Sequence, residues 1–191
     1  MIGAMSDTGL SPRDRLLETA RRLFYTEGIH TVPVDRLVTE ANVTRATFYR
    51  HFPAKEDLVE AYLRATDADL RAMVGKVLDH GTPQESAAAL LELIGQVTCS
   101  AGFRGCHFIN ASAEYPNAED PIRVAVAEHR AWFQDMATRL AERAGHSDPD
   151  HAGRVLVLLH DGALSAAELD DPQQVRDTII RAGRELLGLD A

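Results

Sequence analysis

The chain has 191 residues, 45% of them hydrophobic and 26% charged, which suits one large or two small folded domains with a real core. No apolar run approaches the ~20 residues of a membrane span, the start "MIGAMSDTGLSP" lacks the basic and apolar stretches of a secretion signal, and Cys99 and Cys106 alone make no disulfide framework, so a cytoplasmic protein is expected. The net charge of −9 argues against a nucleic-acid partner, but residues 11–55 hold eight Lys and Arg against five Asp and Glu, while residues 56–191 hold twelve against twenty-three; this asymmetry suggests a small polyanion-facing head on an acidic body.

Residues 1–10 are expected to be a flexible N-terminus. Helical signals then follow one another. Ser11 is a plausible N-cap and Pro12 suits a first helical position. Leu16, Leu17, Ala20, Leu23 and Phe24 recur at three- and four-residue steps as one apolar stripe, and Gly28 suits a left-handed C-terminal cap. A second, two-turn helix starts near Pro33, buries Val34, Leu37 and Val38, and ends at Asn42. Thr44 can cap a third, which Pro53 stops before a long helix begins. Three helices this short are stable only when packed on one another, and the spacing across 33–52 matches a helix-turn-helix. Beyond it, helices are expected near 83–101, 105–115, 119–144, 149–168 and 172–188, with Pro83, Pro121, Pro149 and Pro172 near their starts. No useful period-2 alternation occurs, so no sheet is expected.

The third helix, "TRATFYRHF" from Thr44 to Phe52, is the unusual one. At about 100° per residue, Phe48 and Phe52 share an inward face, with Val43 near them. Arg45, Ala46, Thr47, Tyr49 and Arg50 cover the rest, with His51 at the margin and no carboxylate among them. Arg45 can fork onto guanine O6 and N7, and the Ala46 and Thr47 methyls can touch a thymine methyl. Tyr49 can reach a base edge or a phosphate. Thr44, Arg50 and His51 suit phosphates, which fix register, and Lys55 sits where free helix N–H groups already favour an anion. A solvated basic face on an all-helical protein is the plainer alternative; the turn spacing and acid-free surface favour DNA.

Residues 11–62 resemble the tetracycline-repressor (TetR) family of bacterial transcriptional regulators. The resemblance rests on "LFYTEGIHTVPVDRLVTEANV" followed by "TRATFYRHFPAKEDLVEAYL", and above all on Thr47-Phe48-Tyr49-Arg50-His51-Phe52 with Lys55-Glu56. Pro33 departs from the family, which often has Thr there as a cap and phosphate contact; Thr31 is one candidate to replace it. Asp35, at a variable groove-facing position, is either an acceptor for a cytosine amine or a first-turn carboxylate favoured by the helix dipole. The resemblance implies an all-α protein: a helix-turn-helix DNA-binding domain over 11–57 and a helical regulatory domain over 58–191. It further implies a homodimer through the last two helices on a palindromic operator, a small-molecule effector, repression by default and no cofactor.

Two features of the body bear on this independently. The last two helices carry wide apolar stripes, including Leu158, Leu159, Ala163 and Val175, with small residues at Gly162 and Ala166; they suit a dimer or simply cover the protein's own core. The stretch "FRGCHFINASAEYPN" places His107, Asn110 and Glu114 on one helix face beside Tyr115. With Trp132 and Phe133 these residues are candidates to line an effector cavity; alternatively, Asn110 and Glu114 satisfy backbone groups where helices meet. The two cysteines read better as small apolar residues than as a redox pair, and the histidines show no paired metal-ligand spacing. An enzyme is the rival from another class, but Ser-His-Asp, HExxH, CxxC and phosphate-loop patterns are all missing.

Overall fold

The computed structural model describes residues 9–189 and, among them, nine helices and no strand. The helices are α1 (Pro12–Glu27), α2 (Val34–Glu40), α3 (Arg45–His51), α4 (Lys55–Leu78), α5 (Pro83–Thr98), α6 (His107–Glu114), α7 (Pro121–Arg143), α8 (Pro149–Ala166) and α9 (Pro172–Leu187). The expected N-terminal tail falls mostly outside the described residues.

Local chemistry sets most of these limits. Proline occupies a first-turn position in α1, α5, α7, α8 and α9, where its missing N–H removes no helical bond. A side-chain oxygen caps each of the five: Ser11, Thr82, Asp120, Asp148 and Asp171. Pro33 precedes α2 without a side-chain cap. Asn42 takes φ of 50° in the α2–α3 turn, a left-handed conformation that asparagine tolerates better than most residues. Arg15 of α1 holds that turn, donating from Nε to the Ala41 carbonyl at 3.0 Å and from a terminal nitrogen to that of Asn42 at 3.2 Å.

Two hydrophobic cores stack along the molecule. The first joins Leu16, Leu23, Leu37, Phe48 and Phe52 of the head to Tyr62, Phe108 and Ile122. The second joins Val74, Leu91, Leu140, Leu156 and Leu187. The boundary drawn at residue 57 therefore does not divide the hydrophobic packing: the first halves of α4 and α7, together with α6, complete the head's core, and their second halves enter the body's. A 24-residue α4 is about 36 Å long, enough to span both.

The body is closely packed where its helices cross. A Cβ at Gly153 of α8 would lie 2.8 Å from the Thr138 backbone of α7, and one at Gly183 of α9 would lie 2.3 Å from a Leu91 methyl of α5. Salt links tie other pairs: Arg21 of α1 to Asp69 of α4 at 2.6 Å, and Arg176 of α9 to Glu92 of α5 at 2.7 Å.

Candidate functional site

The reading surface is built on α3. Thr44 Oγ1 accepts from the Thr47 N–H at 3.1 Å, satisfying a free donor of the first turn. Phe48 and Phe52 are buried, and the rings lie 6.2 Å apart. Pinned from beneath, α3 leaves Thr44, Arg45, Ala46, Tyr49 and Arg50 exposed and Thr47 half-buried. Tyr49 is 48% exposed, a large ring held edge-on against Phe48 at 5.2 Å with its remainder in solvent.

Most of the head's positive charge is spent internally. Arg22 bonds Glu40 at 2.5 Å, Arg36 bonds Glu27 and Glu40 at 2.8 Å each, and Arg21 reaches Asp69. Lys55 also turns from the expected phosphate role: its ammonium donates to the Ile29 carbonyl at 2.5 Å and lies 5.7 Å from the Phe24 ring centre. Burial pushes its pKa down. His51 Nε2 is buried with no hydrogen-bond partner among the described residues, so that nitrogen is set into the head instead of offered to a phosphate. Two guanidinium groups beside α3, those of Arg50 and Arg13, make no ion pair among the described residues. Arg50 is exposed on α3, and the Arg13 guanidinium lies 5.4 Å from the Phe52 ring centre, beside the end of α3. Arg13 was already in the head's charge count, but only the fold brings the first turn of α1 to α3.

Asp35 lies in the first turn of α2, as one of its two readings expects, and it also has a partner that neither reading named. Its carboxylate accepts from Arg45 Nε at 2.6 Å, with both side chains more than 60% exposed. An exposed pair of this kind is worth at most about 1 kcal/mol. It biases the direction of Arg45 while leaving both terminal nitrogens, the guanine-forking atoms, outside the bond.

The six candidate effector residues separate. His107, Trp132 and Phe133 line one cavity of about 160 Å³ between α4, α5, α6 and α7. Asn110, Glu114 and Tyr115 do not line it. Asn110 is exposed and donates to the Arg104 carbonyl at 2.7 Å. Glu114 accepts from the backbone N–H groups of Ile29 and His30 at 2.7 and 2.6 Å, with His30 Nδ1 at 3.4 Å. Tyr115 is buried against the His30 ring at 5.0 Å, its hydroxyl without a partner among the described residues and its pKa pushed up by burial to about 12. The physical reason is distance along the helix: α6 is about 12 Å long, so its first turn meets the cavity and its last turn meets the α1–α2 turn of the head.

Around the cavity, His107 Nδ1 lies 2.6 Å from the Tyr62 hydroxyl, and its ring stacks on Tyr25 at 4.1 Å. Burial pushes its pKa down to about 4. His129, which sequence reasoning missed, bonds Asp67 of α4 at 2.7 Å and stacks on Phe108 at 3.6 Å, with planes 4° apart. The signal was present: His129 precedes Trp132 by three residues and Phe133 by four, so the three share a helical face. Both cysteines are free thiols. Burial raises the Cys106 pKa, the opposite of what a reactive thiolate needs.

An anchored short helix presenting polar, carboxylate-free side chains after a tight turn is the reading end of a helix-turn-helix regulator. Residues 16–62 match the model for bacterial regulatory proteins of the tetR family. Over the whole chain, the protein is similar to SCO4454, a TetR-family transcriptional regulator from Streptomyces coelicolor. The two are 45% identical, with 93% of this chain and 94% of that one covered and a TM-score of 0.89. A putative TetR transcriptional regulator from Streptomyces avermitilis is 29% identical, covers 91% of this chain and 98% of its own, and has a TM-score of 0.76. The HTH-type transcriptional regulator YjdC of Escherichia coli is 20% identical over 92% of this chain and 93% of its own. The chain belongs to the TetR family of transcriptional regulators, DNA-binding proteins of the helix-turn-helix type. Among the described residues no helix is long and apolar enough to cross a membrane.

Proposed function

We propose that the protein is a cytoplasmic, non-catalytic repressor that binds a palindromic operator as a homodimer and releases it when a small molecule enters the body. The observation that carries this is the exposed face of α3, anchored by Phe48 and Phe52 and free of carboxylates. In the major groove, Arg45 forks onto guanine, Ala46 and Thr47 touch thymine methyls, and Tyr49 meets a base edge or phosphate. Thr44, Arg50 and Arg13 hold phosphates. Two heads about 34–36 Å apart, or a multiple of that, match successive grooves. The dimer forms through α8 and α9: Leu158 is 67% exposed on α8 and Leu169 is 84% exposed in the loop after it, beside a groove floored by Gly162, Ala166 and Val175.

The effector occupies the cavity lined by His107, Trp132 and Phe133. Two links run from there to the head: His129 to Asp67 on α4, and α6 itself, which ends in the Glu114 clasp on Ile29 and His30. A ligand that favours another α6 position shifts the heads' spacing. The test is a gel shift on the protein's own upstream DNA and on a pool of random duplexes. Wild type is expected to bind in a salt-dependent way, Tyr49→Ala to lose operator binding while sedimenting as a dimer, and Trp132→Ala to keep DNA binding with an altered effector response. Wild-type affinity in Tyr49→Ala overturns the assignment of α3.

A further inference from the structure

The chemistry of the cavity wall restricts what can enter it. Its apolar sides come from Leu70 and Met73 of α4, Leu93 and Ile94 of α5, and Trp132 and Phe133 of α7; none of its lining residues is Asp, Glu, Lys or Arg. A charged group placed there would lose its hydration with no counter-ion, at a cost of several kcal/mol. The Tyr25 hydroxyl on the wall is already committed, donating to the Gly105 carbonyl and accepting from the Arg104 N–H, and His160 Nδ1 lies 3.2 Å from the Asp161 carboxylate; besides the Cys106 thiol, the polar groups left are the imidazoles of His107 and His129. His129 Nδ1 faces a carboxylate oxygen of Asp67, which only accepts, so Nδ1 carries the proton and Nε2 of the neutral ring is left an acceptor. Among the described residues the Tyr62 hydroxyl has one hydrogen-bond partner, His107 Nδ1. The buried phenol keeps its proton satisfied by donating to it, which leaves His107 Nε2–H a donor. Burial disfavours the charged form of both rings.

Nearby cations do not alter this. Arg123 and Arg130 line an adjoining outer cleft, which shares Cys106, Phe108, His129, Phe133 and His160 with the cavity. Arg123 is bonded to the Ser112 and Tyr115 carbonyls at 3.2 Å each, and Arg130 to Asp161 at 2.6 Å. Arg71 stacks its guanidinium 4.6 Å from the centre of the Trp132 ring and is tied to Asp67 at 2.6 Å. Size is the remaining constraint. A cavity near 160 Å³ resembles engineered apolar cavities of about 150 Å³ that bind benzene.

Resting on the ligand-responsive reading above, we infer that the cavity accepts an uncharged single-ring aromatic molecule bearing one hydroxyl, which donates to His129 and accepts from His107, and that it rejects organic anions and cations of the same shape.

The test uses the full chain and four probes: p-cresol, toluene, benzoate and benzylamine, with 3-phenylpropanoate as a longer anion able to reach the outer cleft. Binding is read by calorimetry and by fluorescence, for which Trp132 is the only tryptophan of the chain. The expected order is p-cresol first, toluene about fivefold to tenfold weaker for the lost hydrogen bonds, and benzoate and benzylamine at least about tenfold weaker than toluene. In His129→Leu the preference for p-cresol over toluene is expected to vanish while toluene still binds. Either anion or benzylamine binding as tightly as p-cresol with a Trp132 signal overturns the chemical class but leaves a ligand cavity. No binding by any probe overturns the inference altogether, and the gel shift on operator DNA then reports separately whether the regulator reading stands.

Discussion

The head and the body treat charge in opposite ways. In the head, Arg22, Arg36, Arg45, Glu27, Glu40 and Asp35 pair in solvent over a small apolar core, so the ions surround the packing, and among the described residues Arg50 and Arg13 make no ion pair. In the body, Asp, Glu, Lys and Arg are kept out of the cavity wall, and burial disfavours the charged form of the His107 and His129 imidazoles there. The first arrangement leaves a surface poised for a polyanion; the second leaves a space for a neutral ligand. Between them lies α6, eight residues that touch the cavity at one end and the head at the other.

Phe48→Ala separates head from body most severely. Removing this fully buried ring is expected to cost about 3–5 kcal/mol and to melt the head, abolishing DNA binding while Trp132 emission stays native; simultaneous loss of both signals would mean that the two cores are one cooperative unit. Acidification acts on the body next. His107 titrates near 4 in the folded chain against an ordinary 6.5, so the unfolded chain takes up the proton first. Stability is therefore full above about pH 6.5 and falls progressively towards pH 4, by at most about 3 kcal/mol. Urea midpoints at pH 7 and 5 check this, and His107→Asn is expected to shrink the difference. Glu114→Ala probes the connection: two backbone N–H groups lose their acceptor, at about 1–3 kcal/mol, and hydrogen exchange at Ile29 and His30 is expected to accelerate with Trp132 unmoved. The smallest effect is Arg50→Ala, expected to leave the melting temperature alone and to lower the slope of log affinity against log salt by about 0.9 per subunit.

How much of this was legible in the sequence differs from residue to residue. Phe48 and Phe52 fell inward and Tyr49 outward because a seven-residue helix has one possible buried face once its apolar spacing is fixed. Trp132 and Phe133 are legible as cavity candidates, and the spacing of His129 places it on their face, but nothing in its sequence neighbourhood announces its carboxylate partner 62 residues earlier. Glu114 shows the limit most clearly: that it satisfies backbone groups where helices meet is one of its two readings from the sequence, but which groups, 84 and 85 residues away, only the fold decides. Lys55 and His51 fit the reading-head motif by type and position, yet each is committed to the head's interior by neighbours brought from α1 and its following turn or by burial.

By itself the sequence determined the helices, their starts at proline and capping side chains, their apolar faces, and the acid-free surface of α3, because all of these follow from interactions within about four residues. Tertiary structure alone decided which cations stay free, that α4 and α7 divide their lengths between two cores, and that α6 joins the cavity to the head. Those outcomes depend on which distant backbone N–H, carbonyl or carboxylate arrives within hydrogen-bonding reach, and helical periodicity carries no record of that.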